Sequence, residues 1–187
     1  MTAPDAVETA DAGVADEKAP PPPSRRAVGA ALAVGALGLA LDQGTKALAA
    51  ARLTPGERVP LLGDLFGLSL VYNPGAAFSL GAGSTWIFTA VGVLASVAVV
   101  VFAMRLRGLR WGLALGMVLG GAVGNLVDRL GNPPAIGQGH VTDFLVYGNL
   151  FVGNVADVFV VAGVGLVCLN LASPRPGENH RARKTQP

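Results

Sequence analysis

Four long apolar stretches limit what this chain can fold into. They are Ala27–Ala51, Thr85–Met104, Trp111–Val127 and Leu150–Leu171. A helix needs about 20 mostly apolar residues to cross roughly 30 Å of hydrocarbon, and each stretch reaches or approaches that length. Charged residues make up only 14% of the chain, whereas soluble domains usually carry about 25%. The sequence therefore predicts an α-helical membrane protein with four transmembrane helices in one domain.

The basic residues predict how these helices are oriented. Arg25 and Arg26 precede the first stretch, arginines separate the second stretch from the third, and several basic residues follow the fourth. The other two connections hold fewer basic residues. Because short loops rich in Lys and Arg stay in the cytoplasm, we expect both termini to be cytoplasmic.

Composition separates the membrane domain from its tails. Residues 1–24 are rich in Ala, Asp, Glu and Pro, and residues 174–187 are polar, so both are expected to be disordered cytoplasmic tails. Residues 25–173 then form the four-span domain. The acidic tail in front of the first span, and the charges of Asp42 and Lys46 within it, argue against a cleaved signal peptide.

The connections between the spans include one short apolar hairpin. Val59–Leu62 and Leu65–Tyr72 are apolar runs separated by Gly63 and Asp64, a pattern typical of two paired strands. We expect this hairpin to form a small sheet on the extracytoplasmic side. The connection at 131–139 is rich in Gly and Pro and is expected to be a loop.

Ionisable side chains lie within or next to the spans. Each costs about 2.5–3.5 kcal/mol to insert on translocon scales, so such residues are candidates for a functional site. Asp42 and Lys46 are four residues apart and share one helix face, so we expect them to pair. Asp128 and Arg129 are also expected to neutralise each other.

Asp143 and Asp157 differ because neither has a basic residue close by in sequence, apart from His140. Two carboxyl groups a few ångströms apart hold one proton between them. The ionised group can take a proton from water while the protonated group polarises a peptide carbonyl. This pair therefore favours amide hydrolysis, and which aspartate holds the proton stays open.

Other chemistries fit the composition less well. With one Cys and two His in the chain, zinc ligands are scarce, so we expect neither a metal nor another cofactor. Cys168, inside the last span, is expected to be a buried thiol. Buried Asp and Asn side chains also line ion pathways. A small ion-coupled transporter and a non-catalytic scaffold therefore remain alternatives.

Five short segments, taken together, resemble the motifs of the lipoprotein signal peptidases, also called type II signal peptidases. In chain order they are Asp42–Lys46, Asn73–Phe78, Gly120–Arg129, Val141–Phe144 and Asn154–Asp157. The resemblance implies an aspartic endopeptidase in which Asp143 and Asp157 are catalytic. It also implies a supporting or substrate-binding role for Asp42, Lys46, Asn73, Gly75, Asn125, Arg129 and Asn154.

The resemblance also implies a substrate and a location. The substrates would be diacylglyceryl-modified prolipoproteins, cut just before the modified cysteine by a site near the extracytoplasmic face of a bacterial plasma membrane. Membrane lipids would be the other partners; we expect a monomer and no nucleic acid. The chain departs from the family pattern at Gly153, where Phe is usual, and in the longer loop at 131–139.

Overall fold

The computed structural model describes residues 24–75, 85–105 and 108–173. Within these ranges the chain forms long helices and one small sheet. The helices are α1 (Arg25–Arg52), α2 (Thr85–Ala103), α3 (Leu109–Gly131) and α4 (Val155–Ala172). The strands are β1 (Val59–Leu62), β2 (Phe66–Asn73), β3 (Val141–Tyr147) and β4 (Phe151–Gly153). All four helices are long and apolar enough to cross a membrane. The predicted fold class is confirmed, while the predicted tails lie almost entirely outside the described residues.

The strands form one antiparallel sheet in the order β1-β2-β3-β4. The predicted hairpin is confirmed as β1 and β2, which turn at Gly63 with a φ of 51° that favours glycine. β2 also pairs with β3, so that Asp143 lies opposite Val71. The sheet thus joins the α1–α2 connection to the α3–α4 connection.

The fourth span begins later than predicted. The sequence places its start at Leu150, whereas α4 begins at Val155. The apolar residues Phe151–Gly153 instead pair with β3 as strand β4. Asn154 then caps the helix, because its side chain can accept a hydrogen bond that the first helical turn leaves unpaired.

α3 lies at the centre of the helical domain because its glycines let α1 and α4 approach closely. A Cβ atom at Gly120 would lie 2.7 Å from the carbonyl oxygen of Gly35 on α1. A Cβ atom at Gly121 would collide with the carbonyl oxygen of Ala156 on α4. Small residues at such contacts are typical of membrane helices.

The outer faces of the helices are apolar. Leu94 on α2 is 68% exposed and Leu169 on α4 is 64% exposed, as expected where side chains contact lipid rather than water. Cys168 is also exposed, so the expectation of a buried thiol was wrong. An apolar side chain in a span need not be buried in protein, because the hydrocarbon is itself an apolar surrounding.

α2 and α4 both pack on α3 but, within the described ranges, scarcely contact each other. A gap therefore remains between α2 and α4 along one side of α3. This gap forms part of the cavity described below.

Candidate active site

Asp143 and Asp157 come from different elements and are joined by one side chain. Asp143 lies in β3 and is 3% exposed, and Asp157 lies in the first turn of α4. The side-chain amide of Asn154 donates to the Asp143 carboxylate at 2.6 Å. The side-chain oxygen of Asn154 accepts from the backbone N–H of Asp157 at 3.0 Å. The structure thus brings the two predicted aspartates together, and we refer to them as the dyad.

The segment Asn154–Asp157 explains how Asp157 is held. Asn154 is the N-cap of α4, and the Asp157 carboxylate accepts from the backbone N–H of Asn154 at 3.1 Å. This reciprocal capping box satisfies amides that the start of a helix leaves unpaired. An acidic side chain in the first turn also interacts favourably with the helix dipole. The position of Asp157 is therefore set by the start of its own helix.

Asn125 on α3 extends the network around the dyad. Its side-chain amide donates to the Asp157 carboxylate at 2.9 Å. Its side-chain oxygen accepts from Asn154 at 3.1 Å and from Lys46 at 3.0 Å. Two donors on the oxygen fix which end of the amide faces Asp157.

Asn73, Gly75 and Arg129 connect Asp143 to the end of β2. Asn73 donates to the second carboxylate oxygen of Asp143 at 2.9 Å and accepts from the backbone N–H of Gly75 at 3.0 Å. The carbonyl oxygen of Gly75 accepts from Arg129 Nη2 at 3.0 Å. Asn73 is the last residue of β2, and residues 76–78 of its motif lie outside the described residues.

The charged residues of α1 and α3 pair differently from the prediction. The expected Asp42–Lys46 pair forms at 2.8 Å. Asp128, however, pairs with Lys46 at 3.1 Å, so the predicted pairing with Arg129 was wrong. Adjacent residues on a helix do not face each other. Arg129 instead lies over the ring of Phe88, 5.4 Å from its centroid.

Burial raises the pKa of Asp143 to about 6. The hydrogen bond from Asn73 opposes this rise, and the nearby charge of Asp157 adds to it. Burial, together with the charge of Asp157, also raises the pKa of Tyr147. A carboxyl group with a raised pKa next to a second carboxyl group is what a pair sharing one proton requires.

The dyad lines a cavity with a volume of about 760 Å³. The cavity lies between α2, α3 and α4 and ends at the sheet, where Tyr147 and Phe151 stack with their ring centroids 4.7 Å apart. Side chains from α2 and α4 form its apolar wall, including Phe88, Val91, Val158 and Val161. Its polar lining consists of Asn73, Asn125, Arg129, Asp143, Asn154 and Asp157.

The sequence analysis missed some members of the site. Gln43 donates to the carboxylates of both Asp42 and Asp128 at 3.1 Å; a glutamine inside an apolar span was the available signal. Tyr147 and Phe151 were also missed. His140 does not line this cavity as the described residues form it.

These features define a multi-pass membrane protein that holds paired carboxyl groups at the polar end of an apolar cavity between its helices. A family model described as signal peptidase (SPase) II matches residues 34–173. The chain therefore belongs to the signal peptidase II family. It is a peptidase and a multi-pass protein of a bacterial plasma membrane, and the transporter and scaffold alternatives are set aside.

Individual relatives agree with this assignment. The chain is 44% identical to the lipoprotein signal peptidase of Leifsonia xyli subsp. xyli over 156 residues, which cover 81% of this chain and 72% of that protein. It is 50% identical to the lipoprotein signal peptidase of Rhodococcus jostii over 139 residues, covering 74% and 70% of the two chains. A solved bacterial membrane enzyme matches with a TM-score of 0.70 at 24% identity, over 80% of this chain and 93% of that one. At that identity the structural likeness supports the fold alone.

Proposed function

We propose that the chain is an aspartic endopeptidase that removes signal peptides from prolipoproteins by cleaving before a diacylglyceryl-modified cysteine. The observation that carries this proposal is the bridging of Asp143 and Asp157 by Asn154 at the polar end of the cavity. Membership of the signal peptidase II family supports the removal of signal peptides. The aspartic mechanism and the cleavage position are the finer parts of the proposal.

The dyad divides the chemistry between an acid and a base. Burial raises the pKa of Asp143 to about 6, so Asp143 is the acid of the pair, and Asp157 at the start of α4 serves as the base. Asp157 takes a proton from a water molecule, whose oxygen attacks the carbonyl carbon of the scissile amide. Asp143 gives its proton to the carbonyl oxygen, and a tetrahedral diol forms.

Collapse of the diol returns both aspartates to their starting states. Asp157 transfers its proton to the amide nitrogen, the carbon–nitrogen bond breaks, and Asp143 recovers a proton from one hydroxyl group. The products are the carboxyl end of the signal peptide and the free amino group of the cysteine. General acid and general base steps of this kind contribute about 10²–10⁴-fold each to a rate.

Arg129 is suited to holding the substrate main chain. Its Nη2 donates to Gly75, whereas Nη1 is buried and has no hydrogen-bond partner among the described residues. Because an unpaired buried donor is costly and Arg129 lines the cavity, a peptide carbonyl of the substrate would satisfy Nη1. The same contact would place the scissile bond close to the dyad.

The position of the cavity fits a substrate that arrives through the membrane. The gap between α2 and α4 and the apolar wall at Val91, Val158 and Val161 would accept an apolar signal helix from the lipid. The lipid on the cysteine would hold the scissile bond at a fixed depth, since each buried methylene contributes about 0.8 kcal/mol. We place the site near the extracytoplasmic face, with both termini in the cytoplasm, on the distribution of basic residues.

The test compares lipidated and unlipidated forms of one prolipoprotein as substrates of the purified full-length chain in lipid. The proposal expects cleavage of the lipidated form only, at the bond before the modified cysteine, as read by mass spectrometry of both products. Equal cleavage of both forms would reject the lipid requirement while leaving the peptidase activity. Cleavage elsewhere would reject the stated cleavage position.

A further inference from the structure

Asp42 and Asp128 form a second pair of buried carboxylates, separate from the dyad. Asp42 is 0% exposed and Asp128 is 5% exposed. Lys46 Nζ contacts both carboxylates, at 2.8 Å and 3.1 Å. One ammonium group therefore contacts two carboxyl groups inside the helical domain. Charges at this depth are costly, and the backbone groups that the pair binds indicate why they are there.

Asp42 on α1 holds the start of α4. Its carboxylate accepts from the backbone N–H of Ala156 at 2.9 Å, and Ala156 is completely buried. Amides in the first turn of a helix have no partner within that helix, so α1 supplies the acceptor that α4 lacks. The next residue is Asp157, so this bond fixes the backbone from which one member of the dyad projects.

Asp128 on α3 holds the start of β3 in the same way. Its carboxylate accepts from the backbone N–H of Thr142 at 2.8 Å. The next residue is Asp143, the other member of the dyad. Each catalytic aspartate thus follows directly on a residue whose amide is bound to the second pair.

Lys46 and Gln43 tie the second pair together. Gln43 donates to Asp42 and to Asp128 at 3.1 Å in each case, alongside the two contacts of Lys46. Lys46 also donates to Asn125 at 3.0 Å, which is itself hydrogen-bonded to the dyad. A shift of either carboxylate of the second pair would therefore disturb the other.

We propose that Asp42, Lys46 and Asp128 are positioning residues that set the separation of the two dyad aspartates during peptide cleavage. This inference rests on the proposed function, because it takes the dyad as the catalytic pair. The separation decides how strongly the two carboxyl groups share one proton and whether both can reach the same water and carbonyl group. A misplacement of about 1 Å can cost about 10²-fold in rate.

The pH profile tests whether the charges of the second pair and Lys46 act on the dyad. The titratable groups around Asp143 are Lys46 on α1, Asp128 and Arg129 on α3 and Asp157 on α4, with Tyr147 farther along β3. Loss of the positive charge in Lys46→Met should move the alkaline limb of kcat/KM to higher pH. Loss of a negative charge in Asp128→Asn should move it to lower pH. A charge that does not act on the dyad would leave the pH profile of kcat/KM unchanged.

Gly124→Ala tests geometry without changing any charge. A Cβ atom at Gly124 would lie 2.5 Å from a carboxylate oxygen of Asp42, so the substitution must displace that carboxylate. We expect kcat to fall by about 10²-fold with little change in KM. Gly44→Ala is the matched control, because a Cβ atom there meets nothing within 4 Å.

The experiment measures kcat, KM and the pH profile per mole of folded full-length protein in lipid, for Asp42→Asn, Asp128→Asn, Lys46→Met and Gly124→Ala. Asp64→Asn, at an exposed turn of the sheet, is the control for the Asp→Asn changes. Asp→Asn preserves side-chain volume and Gly124→Ala preserves charge, so the test does not depend on Lys46→Met folding.

The proposal expects lower kcat in all four variants, wild-type values in both controls, and opposite pH shifts for Lys46→Met and Asp128→Asn. If Asp143→Asn or Asp157→Asn retains activity, the proposed catalytic role of the dyad fails, which is a separate outcome. If the dyad variants are inactive while Asp42→Asn, Asp128→Asn and Gly124→Ala keep wild-type kcat per folded protein, the positioning role is overturned.

Discussion

Replacing Asn154 separates its structural role from its role in the dyad. In Asn154→Ser the shorter side chain can still accept from the backbone N–H of Asp157, because Ser is a good N-cap. It cannot bridge to Asp143, so the 2.6 Å hydrogen bond to that carboxyl group is lost. In Asn154→Ala the contact to the backbone N–H of Asp157 is lost as well, and both variants lose the donation to Asn125.

The size of each effect follows from the contact removed. A hydrogen bond to a charged group is worth about 1.5–3 kcal/mol, which corresponds to about 10- to 150-fold in kcat if it acts only in the transition state. Loss of the cap costs about 1 kcal/mol of stability. We therefore expect both variants to lose activity by about 10- to 150-fold, and Asn154→Ala alone to be measurably less stable.

The assay combines single-turnover cleavage of a lipidated prolipoprotein with thermal unfolding in the same detergent. Asn170→Ser, near the opposite end of α4, is the matched control and should keep full activity. Wild-type cleavage by Asn154→Ser would refute the bridging role. The bridging role would also be refuted if the loss of activity in each variant were fully explained by its loss of stability.

Three further predictions concern acidity, metal dependence and topology. Burial raises the pKa of Asp143 to about 6, so this group loses the shared proton as the pH rises through that value. We therefore expect kcat/KM to fall above about pH 6. A flat profile from about pH 5 to about pH 8 would contradict this. Cleavage should survive strong chelators, because one Cys and two His leave few metal ligands; a loss that only zinc restores would overturn the aspartic mechanism. Reporters fused after Lys184 and within residues 131–139 should lie on opposite sides of the membrane, and a common side would reject the topology.

The spans and the first hairpin could be predicted because their signals are local. Length and apolar composition are enough to place α1 and α2. The turn residues Gly63 and Asp64 separate β1 from β2. β4 was missed because Phe151 and Val152 continue directly into the apolar residues of α4. β4 is distinguished from α4 only by its pairing with β3 and by the helix cap at Asn154. The sequence of one short segment does not reveal its strand partner.

Site residues could be predicted where the sequence offered them no nearby partner. The partners themselves could not be predicted where they lie on another helix. Asp143 and Asp157 stood out because no lysine or arginine is near them in sequence. The pairing of Asp128 with Lys46 joins α3 to α1 and depends on helix packing that sequence spacing does not reveal. Cys168 was misplaced because burial rules for soluble proteins do not apply where lipid covers the helix.

Whether the dyad carries the chemistry is decided by single-turnover cleavage of a lipidated prolipoprotein by Asp143→Asn and Asp157→Asn. One carboxyl group cannot serve as both acid and base, so each variant should be slower by at least about 10²–10⁴-fold while remaining inserted and folded. The exposed-turn variant Asp64→Asn should match the wild type. Substantial cleavage by either variant would show that the dyad does not carry the chemistry.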